Sequence, residues 1–311
     1  MNLVILSLII GNTFSNAAPV LMAGLGGMMS EKSGVVNIGL EGMMTIGALV
    51  GATVGYYLGN PWIAFLCGGL AGAFFGLIHA FVSVTLAGDQ TISGIAINTL
   101  GPGLALFLGR YFFDGATQTP SIPLENKIPR LFRNISSNQA FLNIFGQYAT
   151  VYIALIMVVL LYLFLYKTKW GLRVIAVGEH PKAAETLNIS VTKTRYLSVI
   201  FSGFMAGLGG ASMSLAVVSS FSQTLIAGQG YIALVTVIFG NWKPHGVLVG
   251  SLFFGLAQAI ATYLGGSSIG VPIEFISMIP YIATLLILII FQRRSKAPKA
   301  SGKPYLTVDN V

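Results

Sequence analysis

Apolar runs of about 20 residues, the length that crosses a 30 Å hydrocarbon core, recur along almost the whole chain between short polar or glycine-rich breaks. They fall at 2–29, 36–58, 61–87, 89–113, 147–166, 196–219, 231–240, 246–265 and 275–291. The pattern predicts an all-α fold, a polytopic membrane helical bundle of eight to ten transmembrane helices. Some runs cannot span alone: 231–240 is too short at 1.5 Å per residue, and 33–45 carries Asn37 and Glu41 among glycines. Broken or re-entrant helices are therefore expected, since irregular backbone survives in a membrane only where protein or a cavity surrounds it.

A polar, basic island interrupts this pattern. Lys169-Trp170-Gly171-Leu172-Arg173, then Val177 through Glu185, then Asn188 through Arg195 must stay in water between two membrane passages, and the length allows a short helix that a soluble partner can grip. Composition agrees with the membrane reading: 55% of residues are hydrophobic, 8% are charged, and the mean hydropathy is +0.81. The first run has no Lys or Arg before it and no small-residue cleavage site followed by a polar domain, so a removed secretory signal is not expected. Cys67 is the single cysteine, which excludes a disulfide framework or a cysteine metal site within one chain.

The formal charge of +8 is a matter of topology rather than of nucleic-acid binding. Six of the 17 basic residues (Lys167, Lys169, Arg173, Lys182, Lys193, Arg195) lie in the island and five (Arg293, Arg294, Lys296, Lys299, Lys303) in the C-terminal tail. The positive-inside bias makes both cytoplasmic. Threading outward gives nine spans with the N-terminus outside, an external loop over 114–146, a cytoplasmic loop over about 167–195, a transmembrane domain over 1–292 and a basic cytoplasmic tail over 293–311. A tight turn is expected at Asn241 through His245.

Glycines repeat every four residues at Gly47, Gly51, Gly55 and Gly59, at Gly68, Gly72 and Gly76 before Ala80, and at Gly203 and Gly207 before Ala211. Such stripes let helices approach closely where lipid supplies no hydrophobic force for association. The hexapeptide Met-Ala-Gly-Leu-Gly-Gly occurs at 22–27 and at 205–210, but the flanks differ and no internal repeat is inferred. Ionisable residues inside a membrane are functional candidates by default. Glu41 is the deepest, on one helical face with Asn37, and Asp89 opens the fourth span, either as a helix cap or as a pathway group, with Gln90 beside it and Asn98 two turns on. For Glu41 a structural carboxylate held by the amides of a broken helix or by Lys32 stands beside a pathway role.

Catalytic patterns are weak. Gly266-Ser267-Ser268-Ile269-Gly270 fits G-x-S-x-G without its strand-turn-helix context, and His79 in a glycine-striped helix is expected to be packed and hydrogen-bonded. There is no metal-ligand cluster and no Walker A sequence, so the chain is not expected to be an enzyme or to hydrolyse ATP. Asn134-Ile135-Ser136 and Asn188-Ile189-Ser190 match the glycosylation pattern without carrying weight.

The run from Lys167 through Gly178-Glu179-His180-Pro181-Lys182-Ala183-Ala184-Glu185 to Ser202-Gly203 and Gly210 resembles permease subunits of bacterial ATP-binding-cassette importers of the branched-chain amino acid and simple-sugar group. Ser33 through Met44, His79-Ala80-Phe81 and Asp89 through Asn98 are similar to the nucleoside-importer branch. The likeness covers about residues 20–290. It implies a short coupling helix that docks on a separate ABC ATPase subunit, with Glu179, His180, Pro181, Lys182, Ala183, Ala184, Glu185 and Leu187 as the coupling residues. Ala183, Ala184 and Leu187 are expected on one face, with Lys182 and Glu185 off it. It further implies a second related permease subunit, an external substrate-binding lipoprotein, no cofactor bound directly with ATP used by the partner, and a place in the bacterial cell membrane. Asn37, Glu41, Gln90 and Asn98 are the candidate pathway residues. The alternatives are a sugar or branched-chain amino acid importer and, from other classes, an ion-coupled secondary transporter or an intramembrane serine protease built on Ser268.

Overall fold

The computed structural model describes residues 3–133, 135, 137–266, 272, 275, 276, 278–291 and 296–305. Asn134, Ser136, Ser268, Glu274, Arg293 and Arg294 therefore lie outside the described residues. The elements are α1 (Leu3–Lys32), α2 (Leu40–Leu58), α3 (Pro61–Ala80), α4 (Gln90–Phe112), α5 (Gln139–Phe145), α6 (Ala149–Lys167), α7 (Lys169–Glu179), α8 (Pro181–Thr186), α9 (Val191–Ser212), α10 (Gln229–Phe239), α11 (Pro244–Gly265) and α12 (Ile279–Phe291). Each of the nine apolar runs overlaps one of these helices. Among the described residues six helical stretches are long and apolar enough to cross a membrane unaided: Leu3–Lys32, Pro61–Thr85, Gln90–Phe112, Ala149–Lys167, Val191–Val217 and Pro244–Gly265. Among the described residues there is no strand, only two isolated bridges, Gln118 with Ser222 and Arg130 with Tyr148.

Helix ends follow local chemistry. The side chain of Asn60 accepts from the amides of Trp62 and Ile63 ahead of Pro61, and that of Asp89 from Thr91 and Ile92, so Asp89 takes the capping role. Gly59, in the left-handed region at φ 65, closes α2. α3 and α9 each run into a single π-helical turn, Phe81–Thr85 and Met213–Val217.

The core is α1, α2, α3 and α9, and the glycine stripes are its contact lines. A Cβ at Gly72 would meet the Gly203 carbonyl and one at Gly207 the Gly68 carbonyl, while one at Gly47 would strike the backbone of Gly207 itself. Three helices thus converge backbone on backbone, as the four-residue spacing predicts. The two copies of the hexapeptide belong to α1 and α9, which cross antiparallel: Gly26 lies against Ser202 and Met205, and Gly209 against Pro19. Small residues at a crossing explain the recurrence without an internal repeat.

The 114–146 segment is folded onto one end of the bundle. Thr119 donates to the Phe221 carbonyl at 2.9 Å, Ile122 to Ser219 at 2.8 Å and Ile128 to Leu215 at 3.3 Å, while the Ile122 and Ile128 side chains are buried. α5 leans on α1, where Asn143 Nδ2 donates to Ser7 Oγ at 3.0 Å.

Replacing Gly207 with Ala drives a methyl group into the Gly68 carbonyl, whereas at Gly103 on α4 nothing lies within 4 Å. Gly207→Ala should therefore destabilise the bundle by about 1–3 kcal/mol, and Gly103→Ala should be neutral or stabilise by up to about 1 kcal/mol. Thermal unfolding of the purified chains in detergent checks the contrast.

Candidate translocation and coupling sites

Between α1 and α2 the chain is unwound over residues 33–39, and side chains from α3 and α4 satisfy its backbone. The Val36 amide donates to Gln90 Oε1 at 2.8 Å, and the Val36 carbonyl lies 3.0 Å from His79 Nε2. Because that carbonyl only accepts, Nε2 carries a proton; Nδ1 lies 2.9 Å from Ser93 Oγ. Asn98 Nδ2 donates to the Ile38 carbonyl at 2.8 Å, and its Oδ1 accepts from Gly42 at 2.9 Å. Asn37 accepts from Gly39 at 3.1 Å and donates to Ser202 Oγ on α9 at 2.9 Å. Gly34, at φ 95, makes the turn out of α1.

Glu41 performs the same task for a second break. Its two carboxylate oxygens accept from the amides of Gly228 and Gly230, each at 2.7 Å, at the start of α10. With 11 residues α10 is about 16 Å long, half of the hydrocarbon core, so its N-terminus opens inside the bundle. A carboxylate there satisfies orphan amides and meets the positive end of the helix dipole. Asn98 also donates to Tyr231 Oη at 3.0 Å, which joins α2, α4 and α10 at one junction.

Four candidate pathway residues thus separate into two kinds. Asn37 and Gln90 are sealed, at 0% and 3% exposure, and hold backbone. Glu41 and Asn98 are half-buried beside Tyr231, which is 47% exposed, so this junction presents polar groups on an open face of the chain. His79 is fully buried with both ring nitrogens engaged, as a packed histidine should be. Glu31, which the apolar pattern did not single out, is buried at the end of α1 and accepts from Trp242 Nε1 at 2.5 Å. This bond ties α1 to the turn before α11, where Asn241 and Trp242 occupy the left-handed region at φ 49 and 54.

The basic island holds two helices rather than one. Thr168 caps α7, its hydroxyl accepting from Gly171 at 3.1 Å, and Pro181 takes the first position of α8. One expectation is corrected: Ala184 is not on the outer face. It is 2% exposed and packs with Val177 and Val191, whereas Ala183 and Leu187 are exposed, Leu187 at 75%. Residues four apart share a face while the next residue is turned by about 100°. The inward position goes to the small side chain that seats α8 against α7 and α9. Lys182 lies with Ala183 on the exposed side, His180 is exposed, and Glu179, Pro181 and Glu185 are half-buried.

The tail is docked over this end of the bundle. The Lys296 amide donates to Asn241 Oδ1 at 2.9 Å and the Ala300 amide to Gly178 at 2.9 Å. Arg195, 1% exposed, donates through Nη1 to the Lys303 carbonyl at 3.1 Å and lies 5.7 Å from the Tyr305 ring centroid. The Tyr305 hydroxyl donates to Glu185. Burial first, then the Glu185 hydrogen bond and charge, pushes the Tyr305 phenol up to about 12, so it stays a neutral donor at ordinary pH. The tail, α8, α9 and the 33–39 break form one connected end.

Residues 9–290 match the family described as the branched-chain amino acid transport system / permease component. The chain belongs to this permease family. The guanosine ABC transporter permease protein NupQ of Bacillus subtilis is 41% identical over 315 residues, covering 97% of each chain. The nucleoside ABC transporter permease protein NupC of Lactococcus lactis is 36% identical over 320 residues, again 97% of each. The glucose ABC transporter permease protein TsgB13 of Haloferax volcanii is 27% identical over 286 residues, 88% of this chain and 74% of its own. The permease is a multi-pass membrane protein.

Because Asn98 satisfies the Ile38 carbonyl of the break and the Gly42 amide in the first turn of α2, Asn98→Leu should do more than slow a substrate. Leaving buried partners unpaired costs about 1–3 kcal/mol for each such group, so the variant should show a lowered thermal midpoint in detergent together with any loss of transport.

Proposed function

We propose that this permease forms the pathway of an ATP-driven nucleoside importer and couples it to a separate ATPase subunit. The observation that carries the reading is likeness along 97% of the chain to two permease proteins whose names specify guanosine and nucleosides. The chemistry of the open junction suits such a cargo. A nucleoside is neutral and rich in donors and acceptors, and Asn98, Tyr231 and the edge of Glu41 offer hydrogen bonds, with the one carboxylate held by two backbone amides. A second related permease subunit would cover this face, and an external binding lipoprotein would deliver substrate. The basic island and the tail would be cytoplasmic by their positive charge.

Coupling would run through α8. Its exposed residues Lys182, Ala183 and Leu187 would seat in the ATPase, and its buried Ala184 grips Val177 and Val191. Gly178 abuts the Lys32 carbonyl and Gly34, so displacement of α7 and α8 would be felt at the 33–39 break and at the start of α9. The groups of the junction hang from that break.

Deleting the gene should abolish uptake of radiolabelled purine or pyrimidine nucleosides and confer resistance to toxic nucleoside analogues. Unchanged nucleoside uptake in a strain without a redundant importer, with loss of sugar or branched-chain amino acid uptake, would overturn the substrate class.

Leu187→Glu places a charge on the outer face of α8 without touching its core. It should cut ATP-driven uptake at least tenfold at unchanged membrane abundance, whereas Ala184→Arg should lower abundance itself. Immunoblots beside the uptake assay separate the two, and wild-type transport by Leu187→Glu would remove α8 from the coupling role.

A further inference from the structure

At the basic end of the bundle α6 and α9 diverge and leave a groove of about 850 Å³ open to the side, between membrane helices and the coupling loop. Its walls are two stripes that descend into the membrane. Lys193, Leu197 and Phe201 follow one another at four-residue spacing on α9, and Phe164, Leu160 and Met157 line α6, with Met29 of α1 also at the lining. The eight residue steps from Lys193 to Phe201 span about 12 Å, close to the half-thickness of a hydrocarbon core. The Leu197 and Leu160 side chains are 68% and 50% exposed.

Apart from the buried Ser198 on the α9 wall, the polar groups of this groove gather at its mouth. Arg173 and Lys193 stand there with the hydroxyls of Ser190 and Thr194, and no Asp or Glu lines it. Among the described residues neither cation has an ion-pair partner; the Arg173 guanidinium lies 4.8 Å from the centroid of the exposed Trp170 ring, a residue type enriched at headgroup level. An apolar slot about one leaflet deep, with two uncompensated cations and hydroxyls at its rim, matches an amphiphile with a negatively charged head.

We propose that this groove is a binding site for an anionic glycerophospholipid of the adjoining leaflet. Its phosphate sits between Arg173 and Lys193, and an acyl chain lies along Leu160, Phe164, Leu197 and Phe201. A zwitterionic lipid would bring a cationic group against the same two side chains and bind less well. The site lies where α6 enters α7 and where Asn188 through Ser190 lead into α9, so the lipid braces both roots of the coupling loop. The proposal depends neither on the substrate class nor on which leaflet this is.

Trp170 at the rim supplies the probe. The full-length chain is placed in nanodiscs of equal phosphatidylglycerol and phosphatidylcholine, with bromine on the acyl chains of one lipid or the other, and the quenching lost on Trp170→Phe is assigned to Trp170. Brominated phosphatidylglycerol should quench Trp170 about fivefold more than brominated phosphatidylcholine. The ratio should fall to about one in the Arg173→Gln, Lys193→Gln double variant and lie between in Lys193→Gln alone, which serves if the double variant does not fold. Equal quenching in the unaltered chain, or an undiminished preference in either variant, would overturn the site. Protection of Trp170 from both lipids only when the ATPase is added would assign the groove to a protein partner instead.

Discussion

A peptide group inside hydrocarbon must find its hydrogen-bond partner within the protein, and this architecture is organised around two places where helix geometry does not provide one. The break at 33–39 and the opening of α10 would each expose several such groups. Gln90, His79, Asn98, Asn37 and Glu41 supply the partners, from α2, α3, α4 and the break itself. Polar side chains that are costly in a membrane therefore remain, because the groups they satisfy would be costlier unpaired.

These bonds demand that helices carrying the partners approach closely, and the glycine stripes make that approach feasible. Gly47, Gly72 and Gly207 bring backbones of α2, α3 and α9 into contact. Asn37 on the break reaches Ser202 on α9 only because the same helix is held there by its glycines. Packing without a hydrophobic driving force and hydrogen bonding without water are thus solved together.

The same economy extends to the basic end. α8 is too short to be stable alone, yet Ala184 seats it between α7 and α9, and the tail anchors α7 through Ala300 and α8 through Tyr305. The exposed face of α8 is thereby joined to the break, and the break to the polar junction at Glu41 and Asn98.

The amino-acid sequence by itself determined the solvent, the nine apolar runs, the short length of α10, the glycine contact lines and the packed state of His79. These follow from composition, length and spacing along one chain, which are local quantities. Tertiary structure alone decided which polar residue faces what. Spacing predicted Asn37 and Glu41 on one helical face, but Asn37 lies in the unwound stretch ahead of α2, only the arrival of Gly228 from nearly two hundred residues away makes Glu41 a cap, and only α9 and α4 decide that Asn37 is sealed and Asn98 half-open. For the same reason Ala184 turned inward: in one helical turn, small residues suit either a partner or a neighbour, and the neighbours Val177 and Val191 come from elements whose arrangement no local pattern encodes. Glu31, Tyr231 and Tyr305 passed unnoticed because their partners, Trp242, Asn98 and Glu185, lie far away along the chain.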